Sequence, residues 1–528
     1  MNRLGIAFAS LALALLSFFQ FPGHTYLQQD TQIYVPILEH QRDPTVLRNE
    51  ILAQQPHVTF TLYDEAARFL RGVTGFKFRQ VLVFQQILTR ALGIWGLFLL
   101  AAALGLTTGP AMLVAAICSL GATIAGPAVL VTEYEPTPRA FAVPLLICAA
   151  GLMAQRRYLA AGIASAAAFL YHPPTALAFW AVFLVVVLVR RQGWALVPLG
   201  TAVILLLIAA RMQPVPGEGQ IFLARVTPLQ DQLQHLRTAY AWVSTWPASR
   251  ILSHVMLFAI ALVAMRRIRG ELSLELFVFL VGLPFLGLLS MPVSWLLLEH
   301  WRWALVPQVQ PMRTLLFVTL SMQILTAVAG VCAAKDRRWL EGAGWLALAY
   351  LLPLESGTTE TLAWRGVVLA ALLATATAVA VARAPRFSPA VALAAFFAIP
   401  LLGGVVNYPR LHTPEIAQLS GWARASTPRD AVFLFPDAGH ALYPGIFRSD
   451  ALRAVYVDWK GGGQVNYLQD FGEQWWFRWQ QTMTGAPRIA DLAKYEASGI
   501  AYVVVQPQHR LERPAVFENR AFVAYAVR

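Results

Sequence analysis

Long apolar stretches, separated by shorter polar connections, fill the first 406 positions of the chain. Each stretch is roughly 15–22 residues long, close to the ~20 residues that a helix needs to cross a hydrocarbon core of ~30 Å. The pattern therefore predicts a polytopic α-helical protein with about thirteen transmembrane helices. The predicted spans are 4–20, 81–106, 111–131, 140–154, 158–171, 175–189, 194–211, 251–265, 273–290, 314–333, 339–353, 364–382 and 388–406.

The segment after position 406 has a different pattern and contains no apolar run of span length. Short β-type runs at 431–435, 453–457, 501–505 and 521–527 alternate with helical patterns at 413–426, 464–484 and 487–497. We therefore expect two domains, a transmembrane domain over 1–406 and a small α/β domain over 407–528. The Gly-rich stretch Asp458–Gly463 follows a predicted strand and is either a tight turn or a cradle for a phosphate or sugar.

Composition agrees with a membrane protein. Hydrophobic residues make up 57% of the 528 positions and charged residues only 13%, whereas soluble proteins carry about 25% charged residues. Cys118, Cys148 and Cys332 lie far apart inside apolar runs, so neither a disulfide framework nor a zinc site is expected.

The net charge of +13 is concentrated in every second connection between spans. These connections, with Arg3, hold thirteen positive charges against Asp336 and Glu271, a net of +11. Basic residues mark cytoplasmic loops, so the charge predicts orientation and gives no reason to expect a nucleic-acid partner. The N-terminus is then cytoplasmic, and the outer segments are 21–79, 132–139, 212–250, 291–313 and 407–528. The basic residues are Arg3, Arg156, Arg157, Arg190, Arg191, Arg266, Arg267, Arg269, Lys335, Arg337, Arg338, Arg383 and Arg386.

Acidic residues are concentrated in the two outer loops nearest the first spans. Asp30 follows the first span closely, with Tyr34 beside it, and Asp64 and Glu65 precede the second span. A loop carboxylate often does no more than solvate the membrane edge. Several of them together are what general-base catalysis or a divalent cation such as Mg²⁺ or Mn²⁺ requires.

The short loop 132–139 carries Glu133 and Glu135 on either side of a tyrosine. Pro136 and Pro138 follow and restrict the backbone, which fixes the direction of the neighbouring side chains. Glu133 and Glu135 are therefore candidates for catalysis or for binding a cation together with Asp30.

Five cationic or imidazole side chains on the outer side are candidates for binding an anionic substrate. An arginine at membrane depth is costly and usually faces a cavity or an anion, which singles out Arg90 and Arg313. His172 also fits a helix cap, and Arg302, between two tryptophans, also fits an interfacial belt. The five are Arg90, Arg139, His172, Arg302 and Arg313.

The order of these features resembles the GT-C superfamily of polyprenyl-phosphate-dependent glycosyltransferases. The resemblance rests on the first helix, the large outer loop with Asp30, the second loop with Glu133 and Glu135, the many spans and the terminal outer α/β domain. It implies that Asp30 is the catalytic base or a metal-linked activator of the acceptor, with the acids of the second loop beside it. Trp475-Trp476 is followed by Phe477 and not by aspartate, so the sequon-reading motif of oligosaccharyltransferases is missing.

The resemblance implies a glycosyltransferase of the bacterial inner membrane that works on the periplasmic face. It would take a sugar from a polyprenyl-phosphate donor in the bilayer and needs no nucleotide site. On this hypothesis Asp30, Glu133 and Glu135 are catalytic, and substrate is bound by Tyr34, Asp64, Glu65, Arg90, Arg139, His172, Arg302 and Arg313.

Two other classes stay open. A lipid or polysaccharide transporter or flippase would also be basic and many-spanned, although inverted repeats and charges at mid-membrane depth are expected there. A non-catalytic protein of cell-envelope assembly would use 407–528 as a binding module. The sequence names neither the sugar nor the acceptor, nor any protein partner.

Overall fold

The chain divides into two compact units, each described here by itself. The membrane unit comprises 1–24, 82–208 and 240–406, and the α/β unit comprises 25–81, 209–239 and 407–528. The computed structural model describes residues 2–55, 61–212, 224–268, 272–354, 363–402, 411–466, 468–483 and 485–527. Predicted features at Arg269 and Glu271, and parts of loops 21–79 and 212–250, lie outside these residues.

Apolar helices build the membrane unit. Within the described residues, eight are long and apolar enough to cross a membrane, and five more are apolar but shorter. Each of the thirteen predicted spans contains one of them, so the polytopic helical fold is confirmed. The long helices are Phe78–Ala103, Pro173–Arg190, Gly193–Met212, Ala248–Arg267, Leu274–His300, Pro311–Lys335, Trp364–Arg383 and Pro385–Leu402. The shorter ones are Arg3–Phe19, Thr108–Cys118, Pro138–Ala154, Tyr158–Tyr171 and Trp339–Leu354.

Helix Pro311–Lys335 is the centre of the membrane unit and is buried along almost its whole length. Close packing against helix Trp339–Leu354 depends on two small residues. A Cβ added at Gly330 would lie 2.6 Å from Leu346 Cγ, and one at Gly342 would lie 2.9 Å from the Gly330 carbonyl oxygen. Small residues at such crossings allow the helix backbones to approach each other, which is how helices associate where no water drives them together.

The predicted span 111–131 is wrong in its second half. Helix Thr108–Cys118 has only 11 residues, too few to cross the hydrocarbon core alone. The chain then forms a hairpin of β1 (Thr123–Ile124) and β2 (Val129–Leu130). Gly121 and Gly126 adopt positive φ angles of 75° and 105° that a helix cannot contain, so the apolar pattern continues where the helix cannot.

The α/β unit contains a five-stranded sheet in the order β4-β3-β5-β7-β6. Strand β3 is parallel to β4 and β5, whereas β7 is antiparallel to β5 and β6. All four predicted strands are confirmed, and β6 is an additional short edge strand. The strands are β3 (Val432–Leu434), β4 (Ala454–Val455), β5 (Tyr502–Val505), β6 (Phe517–Glu518) and β7 (Val523–Ala526).

Seven helices accompany this sheet within the described residues. The three predicted helices of the terminal segment are present, and the sequence analysis missed a fourth, Tyr443–Ala451. Segments 25–81 and 209–239 belong to this unit and not to the membrane unit, which the division at position 406 does not anticipate. The helices are Thr31–Arg42, Tyr63–Thr74, Pro228–Thr238, Pro414–Ser426, Tyr443–Ala451, Gln469–Thr482 and Asp491–Ala497.

Candidate functional site

Asp30 is the N-cap residue of helix Thr31–Arg42, but its side chain makes no capping hydrogen bond. Its Oδ1 instead accepts a hydrogen bond of 2.7 Å from Lys460 Nζ. The Lys460 ammonium also donates to Gln29 Oε1 over 3.3 Å. The side chains of Lys460 and Asp30 are 14% and 27% exposed, so this ion pair is partly buried and still open to solvent.

A buried guanidinium, Arg448, fixes both chain segments that carry this pair. Its Nη1 donates to Asp458 Oδ1 over 2.5 Å, and its Nη2 donates to the Gln32 carbonyl oxygen over 3.0 Å. Asp458 Oδ2 in turn accepts from the Gly461 backbone N–H at 3.1 Å, which closes the turn around Lys460. Arg448 therefore holds the first turn of the Asp30 helix and the turn that carries Lys460.

Glu50 completes this buried cluster from the first outer loop. Its Oε2 accepts a hydrogen bond of 2.8 Å from the Val455 backbone N–H on β4 and lies 3.7 Å from Arg448 Nη1. Burial raises the pKa of Glu50, although Arg448 opposes the shift. Burial alone would lower the pKa of Arg448, but Asp458 and Glu50 together raise it. The cluster ties loop 25–55 to the sheet by charge as well as by packing.

Close packing explains two glycines of the Gly-rich turn. A Cβ on Gly461 would lie 2.6 Å from Asp458 Oδ1, and one on Gly462 would lie 2.5 Å from the Trp475 ring. Trp475 Nε1 also donates to the Asp458 carbonyl oxygen over 2.9 Å. The structure thus accounts for these glycines by packing within the protein, in agreement with the tight-turn interpretation.

The other predicted residues of the first outer loop lie nearby in the same unit. The Tyr34 ring lies 5.5 Å from that of Tyr63, the first residue of helix Tyr63–Thr74. Asp64 is buried in the first turn of that helix and accepts from Gln41 Nε2 at 3.4 Å, and Glu65 follows it. Substrate binding by Tyr34, Asp64 and Glu65 stays a prediction.

In the membrane unit, Glu133 has a cationic neighbour. Its Oε1 accepts a hydrogen bond of 3.1 Å from Arg139 Nε, and both side chains are largely buried. Its carbonyl oxygen accepts from Gln86 Nε2 at 3.0 Å and from Arg90 Nη2 at 2.7 Å. Glu135 is also buried. The second acidic loop is therefore a fixed structure, and the roles of Glu133, Glu135 and Arg139 in catalysis stay predictions.

Arg90 lies on helix Phe78–Ala103 and is buried among backbone carbonyl groups. Besides Glu133, it donates to the carbonyl oxygens of Ser17 at 3.1 Å and Gly23 at 2.9 Å. These contacts join the end of the first span to the second acidic loop. They give Arg90 a structural role, and its predicted role in substrate binding is not needed to explain its position.

Arg313 has a different environment. It begins the central helix Pro311–Lys335 and is only 6% exposed. Its Nε, like that of Arg90, has no hydrogen-bond partner within the described part of the chain. Unlike Arg90, Arg313 makes no Nη hydrogen bonds to carbonyl oxygens there. A buried guanidinium is strongly favoured by a charge-assisted partner, so this arginine is suited to an anion from outside the chain.

His172 and Arg302 occupy helix and loop ends. His172 caps helix Pro173–Arg190, since its Nδ1 accepts from the Thr175 backbone N–H at 3.2 Å. Arg302 is exposed, with a positive φ of 53°, next to the exposed Trp301. His172 therefore fits a helix cap, and Arg302 fits an interfacial belt. Substrate binding by either residue stays a prediction.

The predicted cation ligands do not form a metal site in the part of the chain that the structure describes. No group of three His, Cys, Asp or Glu side chains there could hold a metal ion. Asp30 is paired with Lys460 and Glu133 with Arg139, so the two carboxylates already have cationic partners. A divalent cation on Asp30, Glu133 and Glu135 stays a prediction, and so does the meeting of Asp30 with Glu133.

The architecture matches solved membrane proteins along the whole chain. ArnT from Cupriavidus metallidurans bound to undecaprenyl phosphate is 15% identical with a TM-score of 0.51, over 100% of this chain and 98% of that chain. The chain has a GT-C-like fold. This fold, with its apolar helices, establishes a multi-pass membrane protein.

Two further solved structures match the chain with TM-scores below 0.5. Apo ArnT from Cupriavidus metallidurans is 15% identical, with a TM-score of 0.49 over 99% of this chain and 97% of that one. A mutant of the arabinofuranosyltransferase AftD from Mycobacteria is 16% identical, with a TM-score of 0.48 over 100% of this chain and 42% of that one. In sequence, residues 414–482 match a domain of unknown function, DUF6798, and no curated protein matches the chain.

Sequence reasoning missed Lys460, which pairs with Asp30, and Arg448, which holds the first turn of the Asp30 helix. Lys460 was noticed only as part of a Gly-rich turn, and Arg448 lies in the helix that was not predicted. The available signal was a lysine within a turn directly after a strand. Residues 414–482, which match the domain family, include both cations.

Proposed function

We propose that the protein transfers a sugar from a polyprenyl-phosphate donor to an acceptor on the extracytoplasmic face of a bacterial inner membrane. The observation that carries the proposal is Arg313, a buried guanidinium at the start of a span whose Nε lacks a described partner. The GT-C-like fold supports it, because the ArnT structure of that fold holds undecaprenyl phosphate.

The chemistry assigns one task to each of two groups. The acceptor hydroxyl attacks the anomeric carbon of the sugar, and its proton passes to the Asp30 carboxylate. A new C–O bond forms as the bond from the anomeric carbon to the phosphate oxygen breaks. The electron pair of that bond leaves on the polyprenyl phosphate, where a guanidinium stabilises the added negative charge.

The test is sugar transfer by the full chain in proteoliposomes. The probes are ¹⁴C-labelled undecaprenyl-phosphate monosaccharides, tested one at a time, with solubilised cell-envelope material as acceptor. We expect one donor to label the acceptor and Asp30→Asn to abolish the labelling while the protein stays folded. Asp430→Asn is the matched control, because Asp430 lies in the same unit in an exposed ion pair with Arg48.

One outcome would overturn the role of Asp30, and another would overturn the proposed sugar transfer. An active Asp30→Asn variant would remove Asp30 as the base. Movement of labelled lipid across the bilayer with no transfer to any acceptor would favour a flippase instead.

A further inference from the structure

We infer that Lys460 is a positioning residue for Asp30, and that the buried Arg448 cluster exists to hold these two side chains in register. The inference deepens the proposed function and rests on it. Nothing in the fold comparisons assigns a role to Lys460, which lies in the stretch that matches a domain of unknown function.

The first argument is the interaction that Asp30 does not make. Aspartate at an N-cap normally accepts a hydrogen bond from the first turn of its helix, and this bond contributes about 1 kcal/mol to stability. Asp30 has the N-cap position of helix Thr31–Arg42, yet its side chain makes no such bond. Its Oδ1 accepts a hydrogen bond from Lys460 Nζ, 430 positions away in the chain. The backbone of Asp30 is helical (φ −72°, ψ −23°) and not extended as in a typical N-cap, so the missing cap follows from the backbone. The carboxylate forms a specific long-range ion pair.

The second argument is that one side chain fixes both partners. Arg448 is completely buried and holds the Gln32 carbonyl oxygen, two residues after Asp30, and the Asp458 carboxylate, two residues before Lys460. A solvent-exposed ion pair contributes little and needs no such support. Here the backbone on each side of the pair is anchored by the same guanidinium, which restricts how far Asp30 and Lys460 can move relative to each other.

The third argument is chemical. A general base must be ionised and correctly aimed before it can accept a proton. The Lys460 ammonium, 2.7 Å from Oδ1, fixes the direction of this oxygen. Lys460 gives and takes no atoms in the transfer reaction. It acts through Asp30, so its loss should slow the chemical step more than it weakens donor binding.

Kinetics of the full chain with the donor that the wild type uses provide the main test. We expect Lys460→Met to lower kcat by about 100-fold and to change the donor KM less than about twofold, and Lys460→Arg to restore much of kcat. Lys494→Met is the matched control, since exposed Lys494 donates only to the Gln481 carbonyl oxygen.

A second measurement does not depend on turnover. A water-soluble carbodiimide activates a carboxylate, and an amine in contact with it displaces the urea and forms an amide. The chain has only four lysines, so an amide between Asp30 and Lys460 is easily assigned by mass spectrometry. We expect this product in the wild type and not in Lys460→Arg, whose guanidinium is a poor nucleophile. Lys460→Gln replaces Lys460→Met in the kinetics if the latter does not fold.

The outcomes separate the two proposals. Wild-type kcat in Lys460→Met overturns the role of Lys460 and leaves the proposed function intact. Absence of the Asp30–Lys460 amide in the wild type also overturns it. If the wild type transfers no sugar from any donor, the proposed function fails and the inference fails with it.

Discussion

Arg90 Nη2 donates a hydrogen bond of 2.7 Å to the carbonyl oxygen of Glu133, 43 positions further along the chain. The same guanidinium bonds the carbonyl oxygens of Ser17 and Gly23. One buried cation therefore joins the end of the first span, the second span and the second acidic loop. The sequence makes Arg90 and Arg313 equal candidates for binding an anion. In the structure their environments differ, because Arg90 bonds the protein's own backbone and Arg313 is suited to an external anion.

Replacing Arg90 by Met should destabilise the membrane unit. Three buried carbonyl oxygens would lose a charged donor, and each unsatisfied group costs about 1–3 kcal/mol. We expect a melting temperature several degrees below that of the wild type for the full chain in nanodiscs. Arg90→Lys should lower the melting temperature less, because an ammonium can still reach some of the carbonyl oxygens. A wild-type melting temperature for Arg90→Met would contradict the structural role.

Replacing Arg313 by Gln should weaken the binding of a lipid phosphate. A hydrogen bond to a charged group contributes about 1.5–3 kcal/mol, so affinity should fall roughly 10- to 150-fold. The measurement is the shift in melting temperature caused by undecaprenyl phosphate, with undecaprenol as the lipid that lacks the anion. Arg365→Gln is the control variant, because Arg365 is an exposed arginine at the start of another long apolar helix. Equal shifts in wild type and Arg313→Gln would remove Arg313 from the phosphate site.

Replacing Arg448 by Met should destabilise the α/β unit strongly. Asp458 and Glu50 would stay buried without their cation, and breaking a buried pair in this way costs about 3–5 kcal/mol. Arg510→Met breaks an exposed pair with Glu518 and should cost less than about 1 kcal/mol. Chemical unfolding of the full chain measures both variants. Similar stability of the two variants would show that the buried cluster does not anchor the unit.

The stability of the α/β unit should depend on pH through His412. Burial lowers the pKa of His412, and its Nε2 donates to the Tyr26 carbonyl oxygen at 2.7 Å, which requires only the neutral ring. The unfolded chain then binds a proton at a higher pH than the folded chain does. This contribution to stability is present above the ordinary histidine pKa of about 6.5 and is lost as pH falls through the lower folded value.

The control for this effect is His412→Gln, whose amide can still donate to the carbonyl. Burial raises the pKa of Glu50 and Asp450, and these groups act in the opposite direction as pH falls. The difference in melting temperature between wild type and His412→Gln from pH 7.5 to pH 5 therefore isolates the histidine. A difference that does not change with pH would contradict the prediction.

Membrane orientation is tested by labelling single cysteines. The three native cysteines are removed, and a cysteine is placed at exposed Arg157, predicted to be cytoplasmic, or at exposed Gln508, predicted to be periplasmic. In intact spheroplasts, a membrane-impermeant maleimide should label position 508 and not position 157. The reverse result would show that the positive-inside assignment is inverted.

The sequence by itself determined the membrane class, the places of the thirteen apolar helices and the four main strands. It could do so because apolar length and strand patterning are local properties that neighbouring residues specify. The local pattern failed at 119–131, where glycines end a helix inside an apolar run. It also failed at Tyr443–Ala451, a helix of only nine residues.

Only the tertiary structure decided which charged residues are partners. Asp30 and Lys460 are 430 positions apart, Arg448 and Gln32 are 416 apart, and no local pattern connects them. The sequence could mark Asp30, Arg90 and Arg313 as unusual, because charge near a membrane is costly wherever it lies. Whether such a charge bonds the backbone, another side chain or a ligand depends on which atoms the fold brings within about 3 Å.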